Sequence, residues 1–293
     1  MKKILTIALV ALLMNNVASA RAEDAMTSIP DFKSCPKLTN EDSYGDDYSS
    51  VKMMMQGKNG FVFRTRHDLY ADFTISDKGI ALFQALTAAL EKKGTTLVVA
   101  ILPTRGIIAS EFLPDSDPLL ENYNPKEARA AYAALIAKMN GYGINAVGDA
   151  RIQSGEKYYY KADQHWTSFG ASQMAQMIAA QIKKHPVYNS IAKTAFKTST
   201  LEKTSFEGTF NASLEPLCGF KMPMEHDTLA KTEPVEKGGS EEDLFGEKSD
   251  PEIVLVGTSN SKKNIDDLNF DGYLKEFLSA DVYNAAVSGG GFD

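Results

Sequence analysis

Ile253-Val254-Leu255-Val256-Gly257-Thr258-Ser259 is an apolar run, rich in β-branched residues, that stops abruptly at Gly-Thr-Ser. Four apolar residues bounded by a glycine turn read as a buried strand that hands over to a loop. The spacing predicts a helix from about Asp267 to Leu278 after it, and then a second strand, Asp281 to Ala285. The same alternation runs upstream. Gly60 to Phe63 is a short strand candidate after a Gly-Lys-Asn-Gly turn, and Asp77 caps a helix through Lys93 with Leu82, Leu86 and Leu90 as its apolar stripe. Thr95 to Leu102 reads as a buried strand ended by Pro103. A helix follows over about Lys126–Asn140, and then a strand over Ile144–Val147. Thr167 or Ser168 opens a further helix that His185-Pro186 breaks. Strands alternating with helices predict an α/β fold with a doubly wound parallel sheet, whose sites form beyond the carboxyl ends of the strands. Residues 186 to 251 carry weaker periodicity and more turn residues, and read as an insertion of short strands and loop.

Ser259 falls at such a strand end. Ninety-four positions before it, His165 stands in Asp163-Gln164-His165-Trp166-Thr167. A hydroxyl nucleophile needs a base to take its proton and a carboxylate to orient that base. Asp163, His165 and Ser259 supply the three groups, and the combination points to acyl-transfer or ester chemistry. Ser261 competes with Ser259; Ser259 is preferred because it follows Gly-Thr directly after the strand. Trp166 is read equally as a platform for a sugar face or as packing. Arg64, Arg66, Arg105 and Lys161 are candidate partners for sugar carboxylates, with Arg105 the best of them because it ends a strand. Tyr158, Tyr159 and Tyr160 read as strand packing with one outward ring. No metal site and no cofactor are suggested.

The first twenty residues have the form of a secretory signal: Lys2 and Lys3, an apolar stretch from Ile4 to Met14, and Ala18-Ser19-Ala20 as cleavage site. That stretch is shorter than the ~20 apolar residues needed to span a bilayer. The expected product is a periplasmic or otherwise exported domain over residues 21–293. The whole chain has net charge −7, and loss of Lys2 and Lys3 makes it more negative still, which argues against nucleic acid as a partner. Acidic residues concentrate between Glu225 and Asp250, where a solvated loop is the expectation. Cys35 and Cys218 are the two cysteines, and export makes a disulfide between them the default expectation. A loop of that length is worth about 5 kcal/mol by chain entropy, reduced in practice to roughly 2–4.

Gly257-Thr258-Ser259-Asn260-Ser261 resembles the Gly-Asp-Ser nucleophile block of SGNH hydrolases, with Thr in the Asp position. Val282-Tyr283-Asn284-Ala285-Ala286-Val287-Ser288-Gly289 is similar to that superfamily's second block, whose glycine lends an N–H to the oxyanion hole. Here the aspartate and histidine precede the serine, an order permuted relative to ordinary SGNH enzymes. It is similar to that of the AlgX/AlgJ family of exported polysaccharide O-acetyltransferases of alginate biosynthesis, which pair D-x-H-W with a later G-T-S-x-S. Gly57 to Arg64 and Pro103-Thr104-Arg105-Gly106 resemble early segments of that family, and the paired cysteines suit it.

The resemblance implies an SGNH-like fold and an acetyl-serine mechanism. Catalysis would rest on Asp163, His165 and Ser259, with Ser259 and Gly289 as oxyanion donors and Arg105, Trp166 and Asn260 near the substrate. It also implies an anionic, alginate-like polymer as acceptor, and a membrane acyltransferase and polymer-export proteins as partners. A carbohydrate esterase and a non-catalytic polysaccharide-binding scaffold remain the alternatives. Asn260 stands where the family usually carries an aromatic residue. The third SGNH block and a C-terminal carbohydrate-binding module have no counterpart in this sequence, so the expectation is a fragment of a longer enzyme.

Overall fold

The structure is a computed structural model and describes residues 28–45, 51–148, 155–235, 250–262 and 268–288. The expected signal segment, the acidic residues 236–249 and Gly289 lie outside the described residues.

Strands β1 (Met54–Gln56) and β2 (Val62–Arg64) form an antiparallel hairpin, followed by the single turn α1 (Thr65–Asp68). Helix α2 (Asp77–Glu91) leads to β3 (Val99–Ala100), α3 (Arg105–Ile108), α4 (Pro125–Gly141) and β4 (Ala146–Val147). Strands β3 and β4 are parallel, and α4 covers them: the Tyr132 hydroxyl donates to the Ile101 carbonyl at 2.6 Å. Next come α5 (Gly155–Tyr158), α6 (Ser168–Ile182), β5 (Phe196–Phe206), α7 (Asn211–Cys218) and β6 (Glu225–Pro234). The last elements are β7 (Ile253–Leu255), α8 (Phe270–Leu278) and β8 (Val282–Asn284), with β7 and β8 parallel. The α/β class therefore holds. Among the described residues its parallel strands lie in two separate pairs, β3–β4 and β7–β8.

The sequence places most helix limits within a few residues, because their caps are local chemistry. Asn124 accepts from the Lys126 and Glu127 N–H groups and Pro125 takes the first helical position of α4. Thr167 accepts from Gly170 N–H at the start of α6. Ser76, rather than Asp77, caps α2. The stripe expected on α2 is also rotated. Leu82 and Leu86 are exposed, while Ile80 and Thr87 are buried, and Ile80 and Phe83 pack in a cluster with Met139, Ile144 and Ala146. An i, i+4 leucine series and its neighbouring i, i+3 row are equally helical, and packing partners decide between them.

The insertion also differs from expectation. Its strands are long, eleven residues in β5 and ten in β6, and they pair antiparallel along most of that length. Polar residues on both faces hid them, since strand alternation is visible only where one face is apolar. Cys35 and Cys218 form the expected disulfide, Cα atoms 5.6 Å apart, and it pins the N-terminal segment beside α7. Phe32, Leu38, Phe210 and Leu214 pack around it. The largest core cluster lies between α6 and α8, where Met174, Ile178, Phe270, Leu274 and Leu278 are buried with Trp166.

Candidate active site

Tyr158 to Thr167 folds as a tight hairpin. Tyr160 N–H donates to the His165 carbonyl at 3.3 Å and Thr167 N–H to the Tyr158 carbonyl at 2.9 Å. Asp163, Gln164 and His165 therefore sit at the hairpin's tip, with Trp166 between them and Thr167, the capping residue of α6. Asp163 is 4% exposed, and its two oxygens have separate duties. Oδ1 accepts from the His165 backbone N–H at 2.8 Å and faces His165 Nδ1 at 2.7 Å. Oδ2 accepts from the Thr209 N–H at 2.8 Å. Burial opposes ionisation of Asp163, but the His165 ring together with the His165 and Thr209 N–H groups outweighs it and holds the carboxyl below the usual aspartate range.

The other half of the site comes from β7. After Val256 the chain turns: the Ser261 and Lys262 N–H groups both reach the Thr258 carbonyl, at 2.9 and 3.0 Å. This turn carries Ser259 to the hairpin tip, where its Oγ lies 2.9 Å from His165 Nε2. Ser261 turns the other way, back under Gly257; a Cβ on that glycine would lie 2.6 Å from the Ser261 Oγ. The Asn284 side chain holds the Ser261 carbonyl at 2.7 Å, and Val287 N–H reaches the Gly257 carbonyl at 2.9 Å, so the run after β8 props the turn from behind. His165 and Ser259 open onto a cleft whose far wall is β5, with Thr204, Phe206, Glu207 and Lys262 among its lining residues. A hydroxyl, an imidazole and a carboxylate in this order are arranged to move a proton away from the hydroxyl as it attacks an electrophile. Among the described residues no group of three or more His, Cys, Asp or Glu side chains is placed to hold a metal ion.

Three residues expected near a substrate have other work. Arg105 is 2% exposed and faces no cleft. Its guanidinium donates to the carbonyls of Tyr160 (2.5 Å), Asp163 (2.8 Å), Val62 (2.9 Å) and Lys161 (2.9 Å), and its Nε lies 3.5 Å from Asp68 Oδ2. Four of its five donors meet carbonyls, so Arg105 is an internal brace of the hairpin rather than a ligand for sugar carboxylates. Trp166 is likewise buried at 1% exposure, its ring centroid 4.8 Å from that of Phe270, so it offers no face to a sugar. Asn260 joins the two halves of the site: its Oδ1 accepts the Trp166 backbone N–H at 3.3 Å. Of the other arginines, Arg64 pairs with Asp68 and reaches Gln164, and Arg66 pairs with Glu41. Tyr158, Tyr159 and Tyr160 are all largely buried, and Tyr160 lines the cleft.

The sequence reading missed Glu225 and Asp227. Both lie at the start of β6, in the run expected to be a solvated loop, and both turn inward onto the hairpin. Glu225 takes the N–H groups of Ala162 and Lys161, at 2.5 and 2.9 Å. Asp227 Oδ2 takes the Tyr160 hydroxyl at 2.6 Å and the Ser168 N–H at 2.8 Å. A Glu-x-Asp pair on an alternating polar strand was the available signal, since i and i+2 point the same way.

The family model described as SGNH hydrolase-like domain, acetyltransferase AlgX, matches residues 54–293. The alginate biosynthesis protein AlgX of Pseudomonas aeruginosa is 35% identical over 283 residues, covering 94% of this chain and 58% of the relative. A probable alginate O-acetylase, AlgJ of Pseudomonas syringae pv. tomato, is 32% identical over 82% of this chain and 63% of its own length. The chain thus spans less than two thirds of these relatives. The solved structure of Pseudomonas aeruginosa AlgX superposes with a TM-score of 0.77 at 36% identity, covering 88% of this chain and 61% of that one. The O-acetyltransferase domain of Pseudomonas putida AlgJ shares the fold with a TM-score of 0.58 at 21% identity, covering 81% of each chain. By the family match and these identities, the chain belongs to the AlgX family of SGNH hydrolase-like acetyltransferase domains.

Proposed function

We propose that this chain is an exported O-acetyltransferase that moves acetyl groups onto hydroxyls of an alginate-like exopolysaccharide. The observation that carries the reading is the aligned relay of Ser259 Oγ, His165 and Asp163, with contacts of 2.9 and 2.7 Å. Ser259 Oγ attacks the donor's acetyl carbonyl while His165 Nε2 takes its proton. Asp163 holds the Nδ1–H tautomer and stabilises the imidazolium. Backbone N–H groups of Ser259 and Gly289 are the proposed donors to the oxyanion, where losing one costs about 3–4 kcal/mol of barrier. The imidazolium returns its proton to the leaving group, leaving acetyl-Ser259. A sugar hydroxyl then gives its proton to His165, attacks the ester, and carries the acetyl away as Ser259 regains its hydrogen.

The signal-like N-terminus supports a periplasmic location, and no helix among the described residues is long and apolar enough to cross a membrane. An exported enzyme has little access to cytosolic acetyl-CoA, so the acetyl donor is proposed to come through a membrane acyltransferase. Other polymer-export proteins are its expected neighbours.

The test is acetyl release from p-nitrophenyl acetate with and without oligomannuronate, followed by mass analysis of the sugar. Acetyl esters on the oligosaccharide are the expected result. Acetate that is released yet never reaches the sugar would replace transfer by ester hydrolysis. That second reading has its own support, since the His165 side chain is 21% exposed and water can take the sugar's place. Polymer binding with no turnover at all would leave a non-catalytic scaffold.

A further inference from the structure

Two successive peptide groups before Asp163 are bound at both ends by side chains of opposite charge. The Tyr160 carbonyl and the Lys161 N–H belong to one peptide plane; the oxygen takes a guanidinium proton of Arg105 at 2.5 Å, and the N–H goes to Glu225 at 2.9 Å. In the next plane the Lys161 carbonyl takes Arg105 at 2.9 Å and the Ala162 N–H goes to Glu225 at 2.5 Å. Arg105 and Glu225 thus form an ion pair with two peptide groups between them. Charge-assisted bonds of this kind are roughly twice as strong as neutral ones, and each fixes a peptide's orientation as well as its position. On the far side of the tip, Asp227 ties Ser168 N–H to the Tyr160 hydroxyl, joining the outgoing strand to the incoming one. Both carboxylates come from β6, whose partner β5 lines the cleft.

We propose that Glu225 and Asp227 are positioning residues, a carboxylate clamp that orients the peptides flanking Asp163 and so sets where His165 Nε2 meets Ser259 Oγ. The proposal rests on the reading of His165 as the base for Ser259. The pairing of β5 with β6 does not need these two side chains, since its ladder is backbone to backbone. Burial works against a charged Glu225, pushing its carboxyl up against the opposing effect of the Ala162 and Lys161 N–H groups and Arg105, and the neighbouring Asp163 charge adds to the rise. An acid kept at such a place, where a glutamine has the same size, fits a need for two acceptors: a carboxamide has one oxygen and would turn its NH2 toward one of the two N–H groups.

The experiment compares wild type with Glu225→Gln, Asp227→Ala and Asp227→Asn, using the full chain. Three quantities are read: kcat and KM for p-nitrophenyl acetate, the low-field proton signal of the His165–Asp163 bond, and Tm. Glu225→Gln and Asp227→Ala should lower kcat on the order of 10- to 100-fold with KM little changed, the scale of a small misplacement at a reacting group. The low-field signal should shift or broaden in both. Asp227→Asn keeps an acceptor oxygen and should recover most of the loss. If Asp227→Ala does not fold, Glu225→Gln, which keeps the volume, decides. A wild-type kcat in Glu225→Gln overturns the proposal, whatever happens to Tm. If wild type itself shows no turnover, the acyl-transfer reading fails and the proton signal alone decides: altered in Glu225→Gln, the clamp stands; unaltered, it falls.

Discussion

The backbone N–H of Thr209 donates to Asp163 Oδ2 at 2.8 Å, which leaves Oδ1 to face His165 alone. A carboxylate with one oxygen anchored cannot rotate about its terminal bond without losing that anchor. The imidazole opposite it is thereby held in one plane, aimed at Ser259.

Ser259→Ala should reduce acetyl turnover to background, a loss on the order of a thousandfold or more, because the residues of such a relay act as a unit. Polymer binding, measured by calorimetry with oligomannuronate, should persist. Ser261→Ala should keep most of the turnover, since its hydroxyl lies back against Gly257. Turnover at the wild-type rate in Ser259→Ala would move the nucleophile elsewhere.

Arg105→Met should cost about 3–5 kcal/mol in urea unfolding, because four carbonyls lose their charged donor at once and Asp68 keeps only Arg64 of its two guanidinium neighbours. Arg105→Lys should not rescue it: one ammonium cannot reach carbonyls on Val62, Tyr160, Lys161 and Asp163 together. A loss within roughly 0.5 kcal/mol, as for a surface substitution, would mean that the guanidinium is not the brace described.

Asp163 gives stability a defined dependence on acid. Its folded carboxyl lies below the usual range, so its contribution is fully present above the free aspartate value of about 3.9 and is lost as pH falls through the lower folded value. The Tm difference between wild type and Asp163→Ala should therefore stay level from neutral pH down to about pH 5 and close below about pH 4. A difference that widens in acid contradicts the assignment.

Free-thiol labelling of the native chain should find no reactive thiol, and two after reduction, because Cys35 and Cys218 are bonded. Reduction should lower stability by roughly 2–4 kcal/mol. Two labelled thiols without reductant would rule the bridge out.

How much of this could be read in advance follows the range of the interactions. The strand-turn at Ser259, the start of α4 and the cap Thr167 were legible because each is set by residues within a few positions. His165 and Ser259 were brought together by chemical type, since few side chains can serve as base and nucleophile. The work of Arg105, Glu225 and Asp227 was hidden because all three bind backbone groups of the hairpin, and a peptide N–H or carbonyl leaves no mark in a sequence. Leu82 and Leu86 misled for the opposite reason: their helical spacing is real, but the tertiary neighbours lie beside Ile80 and Phe83.

The bridge between Cys35 and Cys218 closes the chain into a covalent ring, and that ring divides the site. Asp163, His165, Arg105 and Thr209 are all inside it; Ser259 and Asn260 are on the tail that leaves it. Ring and tail meet at the site through the Ser259–His165 contact, the Asn260–Trp166 bond, the packing of Phe270 on Trp166, and the bonds of Glu225 and Asp227 to the hairpin. The acid–base pair thus belongs to a loop that cannot come apart by chain motion alone, whereas the nucleophile arrives on a segment that must dock.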